Sequence, residues 1–126
     1  MTAFPRPVLI EASAYPHRNA AEMPEDLVLS GRPTADVWAP PPLVGARAVT
    51  FGVWLGQPGS VACHGYPHDE VFVVAEGLIR LESLDGTSLD VEPGQSCFVP
   101  RGWRGVWHTV SPTRKTYVIA ASDATE

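Results

Sequence analysis

The sequence has few cysteines, no long apolar run and no excess of basic residues, and each shortage excludes a class of protein. Its two cysteines, Cys63 and Cys97, fit neither a zinc-site spacing nor a disulfide framework. Uninterrupted apolar runs such as Val71 to Ala75 are far shorter than the ~20 residues of a membrane helix, and residues 1–10 lack the apolar region of a signal peptide. Nine Lys and Arg against 14 Asp and Glu give a net charge of −5, which disfavours a nucleic-acid partner. We therefore expect a cytoplasmic protein that binds neither nucleic acid nor a membrane.

Familiar patterns of nucleophilic catalysis are absent as well. The sequence contains neither a phosphate-cradling glycine-rich loop nor the nucleophile elbow of hydrolases. Cys63 adjoins His64, but adjacent residues of a strand face opposite sides, so no Cys–His dyad is expected there. The two thiols are expected to act as small apolar fillers.

Two compositions divide the chain at about residue 45. Eight of the 13 prolines lie within residues 1–45, whereas nine of the 11 glycines lie from Gly52 onward. We predict three regions, namely an extended arm over 1–46, a β-rich body over 47–121 and a tail over 122–126. The arm carries apolar segments that need burial, so we expect it to pack on the body or on a partner subunit. Its residues 19–22 have a capping-box spacing that predicts about one helical turn.

The body has the pattern of an all-β protein. From Arg47 onward the apolar residues alternate with period two, and Asp85-Gly86 predicts a hairpin with a type I′ turn. Short strands, frequent turn signals and no long helical pattern indicate a barrel or a sandwich. The predicted strands are 47–55, 60–64, 70–75 (ended by Gly77), 78–84, 87–91, 96–100, 104–110 and 115–121.

Within this body, a set of spaced residues resembles the two-part signature of the cupin superfamily. The matching residues are Gly59, His64, Glu70, Gly77, Gly94, Pro100 and Gly102. Two histidine positions of that signature hold other residues, Tyr66 and Gly105. The resemblance covers about residues 47–121 and implies a single-domain jelly-roll β-barrel that is often dimeric. It does not fix an activity, because this fold hosts many chemistries.

The residues at and around these positions resemble one subgroup, the small single-domain cupins related to ureidoglycine aminohydrolase and to the ethanolamine-utilisation cupin. The segments that carry this likeness are Trp54, Asp69-Glu70, Glu76-Gly77, Pro100 to Trp103, Gly105 to Trp107 and Arg114-Lys115. The resemblance places Lys115 at the start of the last barrel strand. It implies a homodimer and a ligand that is a small polar metabolite, by analogy with amino or ureido compounds.

The residues that lead into the strand at Glu70 are the candidate site. On a regular strand His64, Tyr66, His68 and Glu70 share one face with Phe72 and Val74, which would direct four polar groups into the barrel. Gly65 and Pro67 favour a bulge, which would exchange the face of His64 relative to Glu70. In the alternative structural interpretation, His64 and His68 are a solvated pair at the barrel mouth.

Three interpretations of the site stay open. The first is a metal-free pocket in which Glu70 and Lys115 are catalytic or form an ion pair, and His64, Tyr66, His68, Trp103 and Trp107 bind the ligand. The second is a metal enzyme in which His64, His68 and Glu70 hold Zn, Mn, Fe or Ni. The third is a non-enzymatic dimeric binding or sensor protein in which Glu70 caps a turn or faces solvent and the tryptophans are core or dimer surface.

Overall fold

The computed structural model describes residues 6–40 and 49–120, and these ranges are built almost entirely of β-strands. The strands are β1 His17–Asn19, β2 Val28–Gly31, β3 Ala35–Trp38, β4 Val49–Gly56, β5 Gly59–Cys63, β6 Glu70–Ser83, β7 Ser88–Val91, β8 Ser96–Val99 and β9 Gly105–Ala120. Two single-turn 3-10 helices, Ala12–Ala14 and Glu25–Leu27, complete the described elements. No helix within these ranges has the length and apolar character needed to cross a membrane. The predicted boundaries at 46/47 and 121/122 lie outside the described residues.

Two long strands, β6 and β9, hold the architecture together. They pair antiparallel through both halves of their length, so that Glu70 lies opposite Ile119 and Ser83 lies opposite Gly105. In one half the neighbours run β8-β6-β9-β4-β3-β1, and in the other half they run β7-β6-β9-β5-β2. The two halves form the curled sheets of a jelly-roll half-barrel, which confirms the predicted fold class.

The bend at Gly77 lies within the continuous strand β6, where the sequence pattern predicts two separate strands, 70–75 and 78–84. Gly77 has a φ of 95°, which favours glycine, and the β6–β9 register shifts between Val74 and Ile79. Glu70, Phe72 and Val74 are buried before the bend, whereas Ile79 and Leu81 are buried after it. The inward face therefore passes from even to odd residues. The prediction that Gly77 ends a strand is wrong, because the chain bends there and stays in the sheet.

The hairpin at Asp85-Gly86 is confirmed, but the predicted type I′ turn is wrong. Of its two residues only Gly86 has a positive φ, at 89°. Gly86 N donates to Ser83 O at 3.0 Å, and Ser83 N donates to Thr87 O at 2.9 Å. These bonds define a three-residue loop that ends in a left-handed glycine, a common hairpin alternative.

The described part of the arm adds strands to both sheets. Strand β3 pairs with β4 and carries β1 on its far side, whereas β2 pairs with β5. Val37 of β3 is buried in the core. The predicted helical turn at 19–22 is wrong, because Asn19 ends β1 and the next helical turn begins at Glu25.

The core lies between the two sheets and is mainly apolar. Phe72, Val74 and Ile79 are fully buried, and Leu81, Val91 and Val99 pack with them. Among the described residues, only Glu70 and Lys115 are buried with a charged side chain. Their position marks the candidate site.

Candidate functional site

The centre of the site is an ion pair between the first residue of β6 and the second half of β9. Lys115 Nζ donates to Glu70 Oε2 at 2.6 Å, and both side chains are about 95% buried, with 5% and 3% exposed. Lys115 lies in a cross-strand row between Val74 and Trp54, so the sheet register directs it inward. A buried ion pair of this kind carries a large desolvation penalty, which well-placed hydrogen bonds offset only in part.

Three aromatic rings surround the lysine. The Nζ atom lies 4.5 Å from the ring centres of Phe72 and Trp107 and 4.9 Å from that of Trp54. The ring faces stabilise the ammonium by cation–π attraction and exclude water from it. A Cβ atom at Gly56 would collide with the indole of Trp54, so this glycine leaves the room that the ring occupies. Burial lowers the pKa of Lys115, and the Glu70 carboxylate opposes that shift.

Tyr66 forms a hydrogen bond to the second oxygen of the Glu70 carboxylate. Its hydroxyl donates to Glu70 Oε1 at 2.6 Å, and its ring stacks on Trp107 with centres 5.9 Å apart. Burial, followed by the charge of Glu70, raises the pKa of Tyr66 well above its ordinary value. The phenol therefore stays protonated and acts as a hydrogen-bond donor.

A loop, rather than a strand, places Tyr66. A regular strand from His64 to Glu70 was one of two possibilities, the other being a bulge, and it is absent, because residues 64–69 form an irregular connection in which Gly65 has a φ of 153°. Tyr66 N donates to Trp103 O at 2.9 Å, and Gly102 N donates to Tyr66 O at 2.8 Å. These two bonds fix the connection to the loop before β9. Because of them, Tyr66 points inward without the help of strand alternation.

The two histidines of this loop lie in different surroundings. His68 is a quarter exposed, and its Nε2 lies 3.8 Å from Glu70 Oε1 at the edge of the buried cluster. Burial lowers the pKa of His68, the charge of Glu70 opposes this, and the charge of Lys115 adds to it. His64 is exposed and does not join the cluster. The structure thus brings Tyr66, His68, Glu70 and Lys115 together and leaves His64 outside.

The donors predicted for a metal do not converge. Among residues 6–40 and 49–120, no group of three or more His, Cys, Asp or Glu side chains is placed to hold an ion. His64 is exposed, and both oxygens of Glu70 already accept hydrogen bonds from Tyr66 and Lys115. The set of His64, His68 and Glu70 therefore does not fit a metal ion.

His108 lies on the outer face of the sheet, as its position in β9 predicts. Its Nδ1 lies 2.7 Å from Ser60 Oγ, and its Nε2 lies 2.9 Å from Glu82 Oε1. The same outer face carries Arg80, which is paired with Asp90. These polar contacts are separate from the buried cluster.

A groove of about 250 Å³ lies between β7 and β8. Trp103 lies in its wall and donates from Nε1 to Ser83 Oγ at 2.9 Å. Cys97 also lines the groove and lies opposite Phe72 in the β6–β8 register, so its thiol adjoins the ring that covers Lys115. Burial raises the pKa of Cys97, and the positive charge of Lys115 opposes that shift.

Cys97 is buried in the apolar core as a filler would be, but sequence reasoning did not place it next to Phe72. The residue pattern showed only a small apolar filler in a strand. The position became visible once the pairing of β8 with β6 was known. No spacing in the sequence predicts that pairing.

The cluster combines three chemical capacities in a dry environment. The ammonium of Lys115 donates a hydrogen bond or stabilises a negative charge, the carboxylate of Glu70 can accept a proton, and the phenol of Tyr66 donates a hydrogen bond. Charges interact more strongly there than in water, because the surrounding rings lower the local dielectric. This arrangement suits acid–base chemistry on a small molecule.

Comparison with solved structures finds the same fold in several proteins. A DUF861-family protein of unknown function from Pseudomonas syringae pv. tomato has a TM-score of 0.74 at 22% identity, over 82% of this chain and 44% of that one. The ethanolamine utilisation protein Q of Salmonella typhimurium has a TM-score of 0.58 at 18% identity, over 71% and 72%. The EutQ protein of Clostridium difficile has a TM-score of 0.58 at 17% identity, over 72% and 65%. This chain spans less than half of the Pseudomonas protein.

The family assignment depends on a separate match. A comparison with curated proteins found no match, and structural likeness at these identities shows only the fold. The family model described as EutQ-like cupin domain matches residues 45–117, which is more than half of the chain. The matched range contains Glu70, Lys115, Tyr66 and the three rings around the lysine. The chain therefore belongs to the EutQ-like cupin domain family.

Proposed function

We propose that this cupin binds a small polar metabolite inside its barrel and acts on it by acid–base chemistry that needs no metal. The observation that carries this proposal is the pair of hydrogen bonds to Glu70. The ammonium of Lys115 and the phenol of Tyr66 each donate to one oxygen of the carboxylate, both at 2.6 Å. A hydrophobic trio of similar volume would stabilise the barrel as well or better. We infer that the charges of Lys115 and Glu70 are present because the function of the protein needs them.

The ligand that fits this cluster carries both a hydrogen-bond acceptor and a donor. An acceptor would replace the carboxylate as partner of Lys115 or Tyr66, and a donor would bind Glu70. Amino, amide and ureido compounds combine both groups in a few atoms. His68 lies at the edge of the cluster and would contact the outer end of such a ligand, and Trp107 would cover its flat face.

The test is a thermal-shift and calorimetric screen of amino, amide and ureido metabolites. We expect at least one compound to raise the unfolding temperature of the wild type and to lose that effect in Glu70→Gln. The outer-face variant Asp90→Asn is the matched control and should keep the ligand response, because Asp90 lies on the exposed side of the sheet. A ligand that raises the unfolding temperature equally in Glu70→Gln and in Asp90→Asn would contradict binding at the cluster.

Elemental analysis separates this proposal from the metal-dependent alternative. Protein purified without chelator should contain only substoichiometric zinc, manganese, iron or nickel, and ligand binding should survive treatment with EDTA. One equivalent of a transition metal, with binding lost on its removal, would favour the alternative.

A second proposal is that two copies associate through the outer face of the β8-β6-β9-β4 sheet. Phe98, Val71 and Val118 are in register across three strands of that face and are 58%, 46% and 36% exposed. Such an apolar patch is typical of a protein interface. Light scattering at micromolar concentration should give a dimer, and Val71→Lys should give a folded monomer whose unfolding temperature no longer depends on protein concentration. A monomeric wild type would overturn this proposal.

A further inference from the structure

The distribution of positive charge in this chain is unusual. The sequence contains eight arginines and a single lysine, Lys115. That lysine is 4% exposed in the barrel, whereas Arg32, Arg80 and Arg104 lie at exposed positions. Arginine stays protonated in proteins, but a lysine can lose its proton and become a nucleophile. The chain thus has its one side-chain amine at a buried position.

We propose that Lys115 is a nucleophile that forms a Schiff base with a small aldehyde or ketone. The inference rests on the proposed function in one respect, since the compound must reach the barrel interior, and goes beyond it by adding a covalent bond. Four residues of the cluster suit this step. Glu70 is placed to take its proton, Tyr66 holds the other carboxylate oxygen, and the rings of Phe72 and Trp107 exclude water.

The step balances without any other reactant. Lys115 gives one proton to Glu70, and the freed electron pair of Nζ forms a bond to the carbonyl carbon. The carbonyl oxygen takes up that proton and a second one from the nitrogen, and leaves as water. The product is a protonated C=N bond on Nζ, so one ammonium and one carbonyl compound become one iminium and one water. Tyr66 would keep the carboxylate oriented during these transfers.

We infer that the compound enters from the groove between β7 and β8, whose lining limits its size and chemistry. Its lining contains no charged side chain among the described residues, and its largest members are Leu81, Leu89, Phe98 and Trp103. Cys97 at its inner side adjoins both the groove and Phe72. The volume of about 250 Å³ lies below the range of drug-sized pockets. The fitting class is therefore a short carbonyl compound with an apolar chain.

The lowered pKa of Lys115 agrees with the geometry in supporting a nucleophilic amine. Burial disfavours the ammonium and so increases the fraction of amine that can attack, while Glu70 limits this effect. Desolvation of a lysine in an apolar site is a known way to activate it.

Reductive trapping tests the proposal on the whole chain. Acetaldehyde, butanal, glyoxylate and pyruvate are each incubated with the protein and sodium cyanoborohydride, and peptide mapping locates the adducts. Because Lys115 is the only lysine, the other amine that reacts is the amino terminus. We expect one of the apolar aldehydes to modify Lys115 at least about tenfold faster than it modifies the exposed lysine of an Arg32→Lys control.

Further variants keep the result decisive. Glu70→Gln retains the lysine but removes the proton acceptor, so trapping at Lys115 should become slower while the amino terminus reacts as before. Modification of Lys115 no faster than that of the control lysine, or none with any of the four compounds, would overturn the inference. If the metabolite screen still gives a ligand that depends on Glu70, the covalent step alone has failed and the proposed function remains.

Discussion

Strand β6 contributes to two ion pairs that have nearly the same length and opposite surroundings. Glu70 pairs with Lys115 at 2.6 Å in the barrel, and Arg80 pairs with Asp90 at 2.7 Å on the outer face. The exposed fractions of the side chains are 3% and 5% in the first pair, and 45% and 42% in the second. Distance alone therefore does not show what an ion pair contributes.

Burial makes the difference between the two pairs. Water solvates Arg80 and Asp90 whether or not they touch, so their contact adds little to stability. Glu70 and Lys115 have lost that solvation, and each depends on the other and on Tyr66 to replace it. The outer pair is consistent with a surface contact. The inner pair is a costly arrangement that points to chemistry.

The largest expected effect comes from removing the lysine. Lys115→Met leaves the Glu70 carboxylate buried beside three aromatic rings, with the hydrogen bond from Tyr66 and with His68 Nε2 3.8 Å away. We expect the free energy of unfolding to fall by about 3–5 kcal/mol in urea denaturation. A loss below about 1 kcal/mol would show that water or another group solvates Glu70 in the variant.

A double variant should recover part of that loss. In Lys115→Met with Glu70→Gln, no uncompensated charge remains, and the Gln carbonyl can still accept a hydrogen bond from the hydroxyl of Tyr66. We expect the double variant to be more stable than Lys115→Met by at least about 1 kcal/mol. Additive destabilisation in the double-mutant cycle would mean that the two charges do not depend on each other.

The next effect concerns the tyrosine. Tyr66→Phe keeps the stacking on Trp107 but leaves Glu70 Oε1 without its donor, so we expect a loss of about 1–3 kcal/mol by the same measurement. Tyr15→Phe is the matched control, since its hydroxyl donates to Leu9 O at an exposed site. Equal losses in the two variants would remove the special role of the buried hydroxyl.

A smaller effect should appear as a pH dependence. Burial lowers the pKa of His68 from 6.5 in the folded chain. Below that value the unfolded chain takes up a proton that folded His68 does not, so stability should fall as the pH falls from 6.5 toward the folded-state pKa. Unfolding measured across this window should show a steeper decline for the wild type than for His68→Gln. Parallel profiles would contradict the assignment.

The smallest effect is expected on the outer face. Arg80→Gln removes a two-fold hydrogen-bonded contact to Asp90, yet both groups stay solvated in the variant. The unfolding midpoint should therefore remain within experimental error of the wild type, in low and in high salt. A clear loss of stability would show that the outer pair is coupled to the core and would weaken the comparison.

Sequence patterns predicted the fold because turns and alternation are local. The Asp85-Gly86 hairpin, the inward face of Glu70, Phe72 and Val74, and the glycine framework all depend on residues close in sequence. The pairing of Glu70 with Lys115 was one of the open alternatives and is present. It could be named because a family resemblance placed Lys115 on the last strand.

The remaining features depend on contacts between distant segments. Tyr66 is inward because its loop is bonded to residues 102 and 103, and no pattern within residues 64–70 specifies that contact. The continuation of β6 through Gly77 depends on pairing with β9, so a glycine that usually marks an end marks a bend. The roles of the site residues, the homodimer and the cytoplasmic location stay predictions.

The bend at Gly77 also restricts how this chain can change in length. The exchange of faces between Val74 and Ile79 depends on the residues between them, and Thr113 Oγ1 accepts from Leu78 N at 3.0 Å to hold the bend. If the backbone kept this bend, deleting one residue within it would turn Arg80 and Glu82 toward the core. Gaps and insertions should therefore be rarer in this segment than substitutions, even at its exposed positions.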